Sequence, residues 1–216
     1  MVWSAENATQ AYVRTLEAKN DSTSEPNVAE FISAMAAGNC SRLMIDVCEN
    51  SAGPTTLALI AAAHQTGGRV ICIVPTHDGL RASKATLGEL ASSVDLIVGD
   101  ALTLFRSNVD VCSGMPDFVL VDCKMRWSEN VFAAARQTME DNGGKGVAVG
   151  YNAMRCHEID RTELLPIGGG LRVTRVAEKT TRGRSKWVIK VDEYTGEEHV
   201  YRITAPRILG LGSDPI

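Results

Sequence analysis

Leu43-Met44-Ile45-Asp46-Val47-Cys48, then the loop Glu49-Asn50-Ser51-Ala52-Gly53, then Leu57, Ile60, Ala61 and His64 at helical spacing after Pro54: this stretch decides the fold. A continuous apolar run broken by one acid is how a parallel strand reads when helices cover both of its faces. The loop holds a glycine and opens straight into a helix, so backbone N–H groups at the helix start face whatever lies beyond the strand. The alternation continues downstream. Residues 69–74 form a second apolar strand stopped by Pro75, and residues 78–90 a helix. Residues 94–98 form a third strand, followed by a short helix over 102–106. Residues 117–122 are the fourth strand, 128–141 a helix begun by Ser128, and 146–150 a fifth strand.

Upstream, Ala8, Ala11, Tyr12, Thr15 and Leu16 mark one helical face, with Ser4 as its cap. Val28, Phe31, Ile32, Met35 and Ala36 mark another, with Ser24 and Pro26 at its start and Gly38-Asn39 at its stop. At the other end, residues 171–176 and 186–191 alternate in polarity around the turn-like stretch 180–184, which predicts a β-hairpin; residues 199–203 add a short edge strand. The expected architecture is therefore α/β. It is a Rossmann-like, doubly wound, mostly parallel seven-stranded sheet with a C-terminal antiparallel hairpin, preceded by two N-terminal helices. One domain is expected over 1–216, with helices in 1–39, the core sheet in 42–191 and an edge and tail in 192–216.

Composition narrows the function. Aromatic residues are 5%, so Ala, Val, Ile and Leu fill the core, and a net charge of −4 argues against nucleic acid as a partner. Basic residues crowd the expected hairpin, with Arg172, Arg175, Arg182, Arg184 and Lys186 among them; they read as a solvated edge rather than an anion-binding surface. No apolar run is long enough to span a membrane, and the first residues lack a basic and apolar leader, so a cytoplasmic location is expected. Six cysteines (Cys40, Cys48, Cys72, Cys112, Cys123, Cys156) show no C-x-x-C pair and read as small buried thiols.

In an open parallel sheet, ligands bind past the carboxyl ends of the strands. After the first strand, Asp46, Gly53 and Thr55 are candidates for a loop that meets a ligand; an ordinary strand-to-helix turn is the alternative. After the second, Thr76 stands where nucleotide sites usually carry an acid for the ribose hydroxyls, and Asp78 reads as the next helix cap. After the third, Asp100 and Ala101 either read an adenine edge or cap a helix. After the fourth, Asp122-Cys123-Lys124 gathers a carboxylate, a thiol and an amine, so that Asp122 and Lys124 are candidates for orienting or deprotonating an acceptor. The alternative is a surface pair of Asp122 and Lys124 with Trp127 on the sheet. Tyr151-Asn152 lines the same mouth after the fifth strand.

The order of these blocks resembles the catechol and caffeoyl-CoA O-methyltransferases: Asp46…Gly53-x-Thr55, Gly99-Asp100-Ala101-Leu102, Phe118-Val119-Leu120-Val121-Asp122, and Leu165-Pro166-Ile167-Gly168-Gly169-Gly170-Leu171, over residues 28–191. The opening Met1–Ala8 and the stretch Gln65-Thr66-Gly67-Gly68-Arg69 resemble more closely a plant family described as methyltransferase-like. The resemblance implies S-adenosylmethionine as cofactor, with Asp46, Gly53 and Thr55 at its methionine part and Asp100 and Ala101 at its adenine. The chain departs from the pattern at four points. Cys48 replaces the first glycine of the loop, no acid follows the second strand, and Tyr151-Asn152 replaces the metal-binding Asp-Asn pair. Met125 stands where the family has its catalytic lysine, one residue after Lys124. One carboxylate and one amide are a poor nest for Mg²⁺, so a metal-independent methyltransferase-like protein with a small-molecule acceptor is expected. The alternative is a binding or regulatory module that keeps the fold without catalysis.

Overall fold

The computed structural model describes residues 3–18, 27–106, 114–141, 145–155, 163–176, 185–191 and 198–204. Two N-terminal helices, α1 (Ala5–Glu17) and α2 (Val28–Gly38), precede the alternating region. Ser4 caps α1 as expected, its hydroxyl accepting from the Asn7 amide at 3.2 Å. The α2 cap is Asn27, in a reciprocal box with Glu30 whose carboxylate accepts from the Asn27 amide at 2.8 Å. The expected start signals Ser24 and Pro26 lie outside the described residues.

The alternating region runs β1 (Leu43–Val47), α3 (Pro54–Thr66), β2 (Arg69–Val74), α4 (His77–Leu87), β3 (Asp95–Val98), α5 (Ala101–Arg106), β4 (Phe118–Asp122), α6 (Ser128–Asp141) and β5 (Gly146–Tyr151). Two further strands, β6 (Glu163–Leu165) and β7 (Leu171–Val176), complete one seven-stranded sheet in the order β3-β2-β1-β4-β5-β7-β6. β1 to β5 are parallel, while β7 is antiparallel to both β5 and β6. Both faces are covered, as the unbroken burial of β1 and β4 requires. Met44, Phe118 and Leu120 pack on one side with Ile32 of α2 and Leu59 of α3. Ile45, Val119 and Val121 pack on the other with Phe105 of α5 and Phe132 of α6.

The sheet is seven-stranded, mostly parallel and closed by an antiparallel hairpin, as expected, but the strands that make the hairpin differ. The hairpin expected of residues 171–176 and 186–191 is made by β6 and β7. β7 lies between β5 and β6, with Leu171 opposite both Tyr151 and Leu165. β6 has three residues, too few to show a period of two, and the turn after it is masked in the sequence by the Pro-Gly-rich segment 166–170. Gly170 needs to be glycine there: its φ is +89°, and a Cβ would lie 2.9 Å from the Met154 backbone nitrogen.

The chain divides into two compact units, Met1–Glu178 and Lys179–Ile216. The second contains β8 (Ser185–Val191) and β9 (Glu198–Thr204), which form a two-stranded antiparallel sheet of their own. The expected edge strand near residues 199–203 is thus the partner of β8. Among the described residues, no helix is long and apolar enough to cross a membrane.

Candidate functional site

The strand order reverses between β1 and β4, so a crevice opens past their carboxyl ends. A cleft of about 220 Å³ lies there, lined by Cys48 and Glu49 after β1, Pro75 after β2, Gly99, Asp100 and Ala101 after β3, and Met125, Arg126 and Trp127 after β4. Trp127 is 60% exposed, so it does not lie on the sheet as its sequence setting suggested. The Arg126 guanidinium sits 5.0 Å above its ring. Small-molecule sites usually enclose about 300–1,000 Å³. This cleft therefore has room for the nucleoside half of a ligand more readily than for an extended one.

Of the candidate residues, Asp100 and Ala101 line the cleft. Asp100 also caps α5: its carboxylate accepts from the Thr103 amide at 2.9 Å and the Thr103 hydroxyl at 2.5 Å. Those bonds, foremost the hydroxyl, hold its carboxyl below the usual range. Thr76 is exposed and caps α4, its hydroxyl accepting from the Gly79 amide at 3.0 Å. The cap expected at Asp78 is thus Thr76, and Asp78 lies in the first turn beside Arg81.

Asp46 and Thr55 meet in a second, buried cluster. Asp46 is fully buried, and its Oδ2 accepts from the Thr56 hydroxyl at 2.7 Å and the Thr55 hydroxyl at 3.2 Å. Its Oδ1 is buried without a hydrogen-bond partner. Burial pushes the Asp46 carboxyl up to about 6, against the pull of the Thr56 and Thr55 hydroxyls and the Cys48 thiol. Gly53 caps α3 by its backbone, and space in front of it is open: a Cβ would find nothing within 4 Å. Tyr151 ends β5 beside this group. Burial raises its phenol, the nearby Asp46, Cys48 and Asp122 add to that, and a hydrogen bond with Thr55 opposes it.

Asp122 ends β4 and is buried. Its Oδ1 accepts from the Asn152 side-chain amide at 2.8 Å and from the Lys124 backbone amide at 3.0 Å. Lys124 thus meets Asp122 through its main chain, and its side chain is exposed. The place where a divalent ion would need oxygens holds a direct amide–carboxylate bond, so these residues do not fit Mg²⁺.

Three contacts were not legible in the sequence. Thr56 reads as one more residue of a helical turn, yet it makes the shorter bond to Asp46. Cys48 and Cys72, 24 residues apart, place their sulfurs 3.6 Å from each other. The loop after β1 folds onto α4: the Ala52 amide donates to the Ser83 hydroxyl at 2.8 Å, and the Asn50 carbonyl lies where a Cβ on Gly79 would be, 2.1 Å away. All three need the strand register before any pair of residues becomes neighbours. Cys40, expected to be buried, is exposed; Cys48, Cys72 and Cys123 are buried, and Cys112 and Cys156 lie outside the described residues.

A family model described as "Protein of unknown function (DUF1442)" matches residues 1–203. Comparison with curated proteins gives no match. Among solved structures, a methyltransferase from Geobacter sulfurreducens is similar with a TM-score of 0.56 at 18% identity, over 82% of this chain and 92% of that one. The S-adenosylhomocysteine-bound methyltransferase of Podospora anserina is similar with a TM-score of 0.53 at 14% identity, over 82% and 90%. So is an O-methyltransferase of Streptomyces achromogenes involved in tomaymycin synthesis, in complex with S-adenosylmethionine, with a TM-score of 0.53 at 15% identity, over 82% and 92%. These likenesses show the fold: a class I methyltransferase-like Rossmann domain.

Proposed function

The chain belongs to the DUF1442 family, and on that premise we propose that it is an S-adenosylmethionine-dependent, metal-independent methyltransferase acting on a small molecule. The observation that carries this reading is the cleft at the switch point, with Asp100 and Ala101 on one wall and the exposed Trp127 on another. An aromatic face next to backbone N–H groups suits a purine. The orphaned Oδ1 of Asp46 supports the cofactor's fit at the other end, because a buried acceptor without a donor favours a cationic amine.

Asp100, Ala101 and Trp127 would hold the nucleoside, and Asp46 with Thr55 the amino-acid part. The cofactor supplies a methyl group on a sulfonium. Asp122 and Lys124 orient the acceptor at the mouth: the buried carboxylate accepts from an acceptor hydroxyl, and the exposed ammonium draws in an anionic substituent. The rate comes mainly from alignment of the two reactants. Thr76 offers no carboxylate to the ribose. Loss of one charge-assisted hydrogen bond costs about 1.5–3 kcal/mol, or about 10–100-fold in affinity, so weak cofactor binding is expected. Isothermal calorimetry of the full chain with S-adenosylmethionine and S-adenosylhomocysteine is the test. Heat that falls on Trp127→Ala supports the reading, and no heat from folded protein at millimolar ligand removes it.

A second reading, a non-catalytic binding module, draws on the exposed Thr76 where a ribose-binding acid would stand and on the direct Asn152–Asp122 bond where a metal would sit. Methyl transfer to any acceptor, abolished in Asp122→Ala, would remove it.

A further inference from the structure

From the meeting of Asp46, Cys48 and Cys72 in the buried cluster at the end of β1, we infer that the chain carries a buried site for one zinc ion, with these three side chains as ligands. The site goes beyond the nucleoside reading and does not depend on it; the two compete for one atom, because Asp46 Oδ1 can meet either the ion or the cofactor's amine. One donor atom from each residue lies within 4.8 Å of the others, and all three residues are buried. The sheet imposes that closeness. β1 and β2 pair in parallel with Asp46 opposite Cys72, and the Cys48 amide donates to the Ile73 carbonyl at 3.1 Å, so alternate side chains of both strands share one face.

The spacing matches a tetrahedral ion. Zinc–thiolate bonds of about 2.3 Å put two sulfurs of a tetrahedron about 3.8 Å apart, and the two sulfurs stand 3.6 Å apart. A disulfide needs about 2.0 Å. The carboxylate is the second, independent observation. Its Oδ2 is engaged by Thr55 and Thr56, while its Oδ1, wholly buried, has no hydrogen-bond partner. An unmatched buried acceptor is costly, and a cation removes that cost. The Thr56 hydroxyl, 2.7 Å from Asp46 Oδ2 and 4.0 Å from Cys72 Sγ, is within reach as a fourth donor. Two thiolates and a carboxylate are a borderline-soft set that selects zinc over magnesium or calcium. Cys48 also lines the cleft, which gives the ion a way in. Binding releases the two thiol protons to solvent, and no electron is transferred.

The test is elemental analysis of the full-length chain, produced with zinc and kept reduced, together with cobalt substitution. The expected result is one zinc per chain and a sulfur-to-cobalt charge-transfer absorption. Cys48→Ala and Cys72→Ala should each lose both, Asp46→Asn should bind at least about tenfold more weakly, the weakening of about 1.4 kcal/mol or more that losing one charged ligand implies, and Cys123→Ser should bind normally. Where a cysteine variant fails to fold, wild-type protein is alkylated with and without zinc, and zinc must shield Cys48 and Cys72. Reduced, folded protein that takes up neither metal overturns the inference. So does metal that persists in the Cys48→Ala/Cys72→Ala double variant, absence of shielding, or a Cys48–Cys72 disulfide in metal-free protein. Metal content is read without any nucleoside, so its outcome is separate from that of the calorimetry.

Discussion

The side-chain amide of Asn152 donates to the carboxylate of Asp122 across 2.8 Å, joining the ends of β5 and β4. Asn152 adopts φ +59°, a conformation Asn tolerates better than most residues, so its backbone is shaped to deliver that amide. Asp122→Ala leaves the amide of Asn152 and that of Lys124 without their shared acceptor. The expected loss of stability is about 1–3 kcal/mol, read as a lower urea midpoint at unchanged slope. Magnesium should change neither that midpoint nor nucleoside affinity. A magnesium-dependent gain in either would show that the pair rearranges into a metal site.

Gly79→Ala places a methyl 2.1 Å from the Asn50 carbonyl oxygen, a backbone atom with no rotamer to relieve it. The loop after β1 must move. A destabilisation of about 1–3 kcal/mol is expected, together with altered nucleoside affinity, because Cys48 and Glu49 of that loop line the cleft. Gly53→Ala is the contrast: a Cβ there meets open space, so little change in thermal midpoint is expected.

Asp100→Ala removes the cap of α5 and should cost about 0.5–2 kcal/mol at neutral pH. Asp100→Asn keeps an acceptor without the charge and should cost less. Because the Thr103 bonds depress the folded carboxyl below its ordinary value, its charge contributes stability above the unfolded pKa. That contribution is lost as the pH falls through the folded value. Urea midpoints of wild type and Asp100→Asn should therefore converge on acidification. Exposure of the side chain keeps the difference small. A gap that widens in acid would contradict the assignment.

Trp127→Ala removes an exposed aromatic wall of the cleft. Stability should hardly move, while stacking worth about 0.5–1.5 kcal/mol is lost from any purine bound there, about 2–12-fold in Kd by calorimetry. A variant that binds S-adenosylhomocysteine as tightly as wild type would put the purine elsewhere.

The parallel core was legible because buried strands and amphipathic helices write their periods into every residue: β1, β2, β4 and the capped α1 fall where the apolar runs and Ser4 put them. The closing strands were not, because antiparallel partners are chosen by register between segments far apart. Leu171–Val176 alternates equally well for either neighbour, and three residues of β6 carry no period. The candidate site divides in the same way. Asp46, Asp100 and Asp122 stand at strand ends, as the topology of parallel sheets predicts. Their partners Thr56, Thr103 and Asn152 emerge only once helix starts and strand ends are set side by side.

The insertion of β7 between β5 and β6 bears on how the protein is made. While the ribosome has released the chain only as far as Tyr151, the β5 flank that later receives β7 has no mate, and the Val147–Val149 segment it carries is wholly apolar. Such a flank invites pairing with a neighbouring nascent chain. It stays open until Val176 has been released as well. Over that interval the apolar flank of β5 is an unpaired strand edge, the kind of surface on which incomplete chains aggregate.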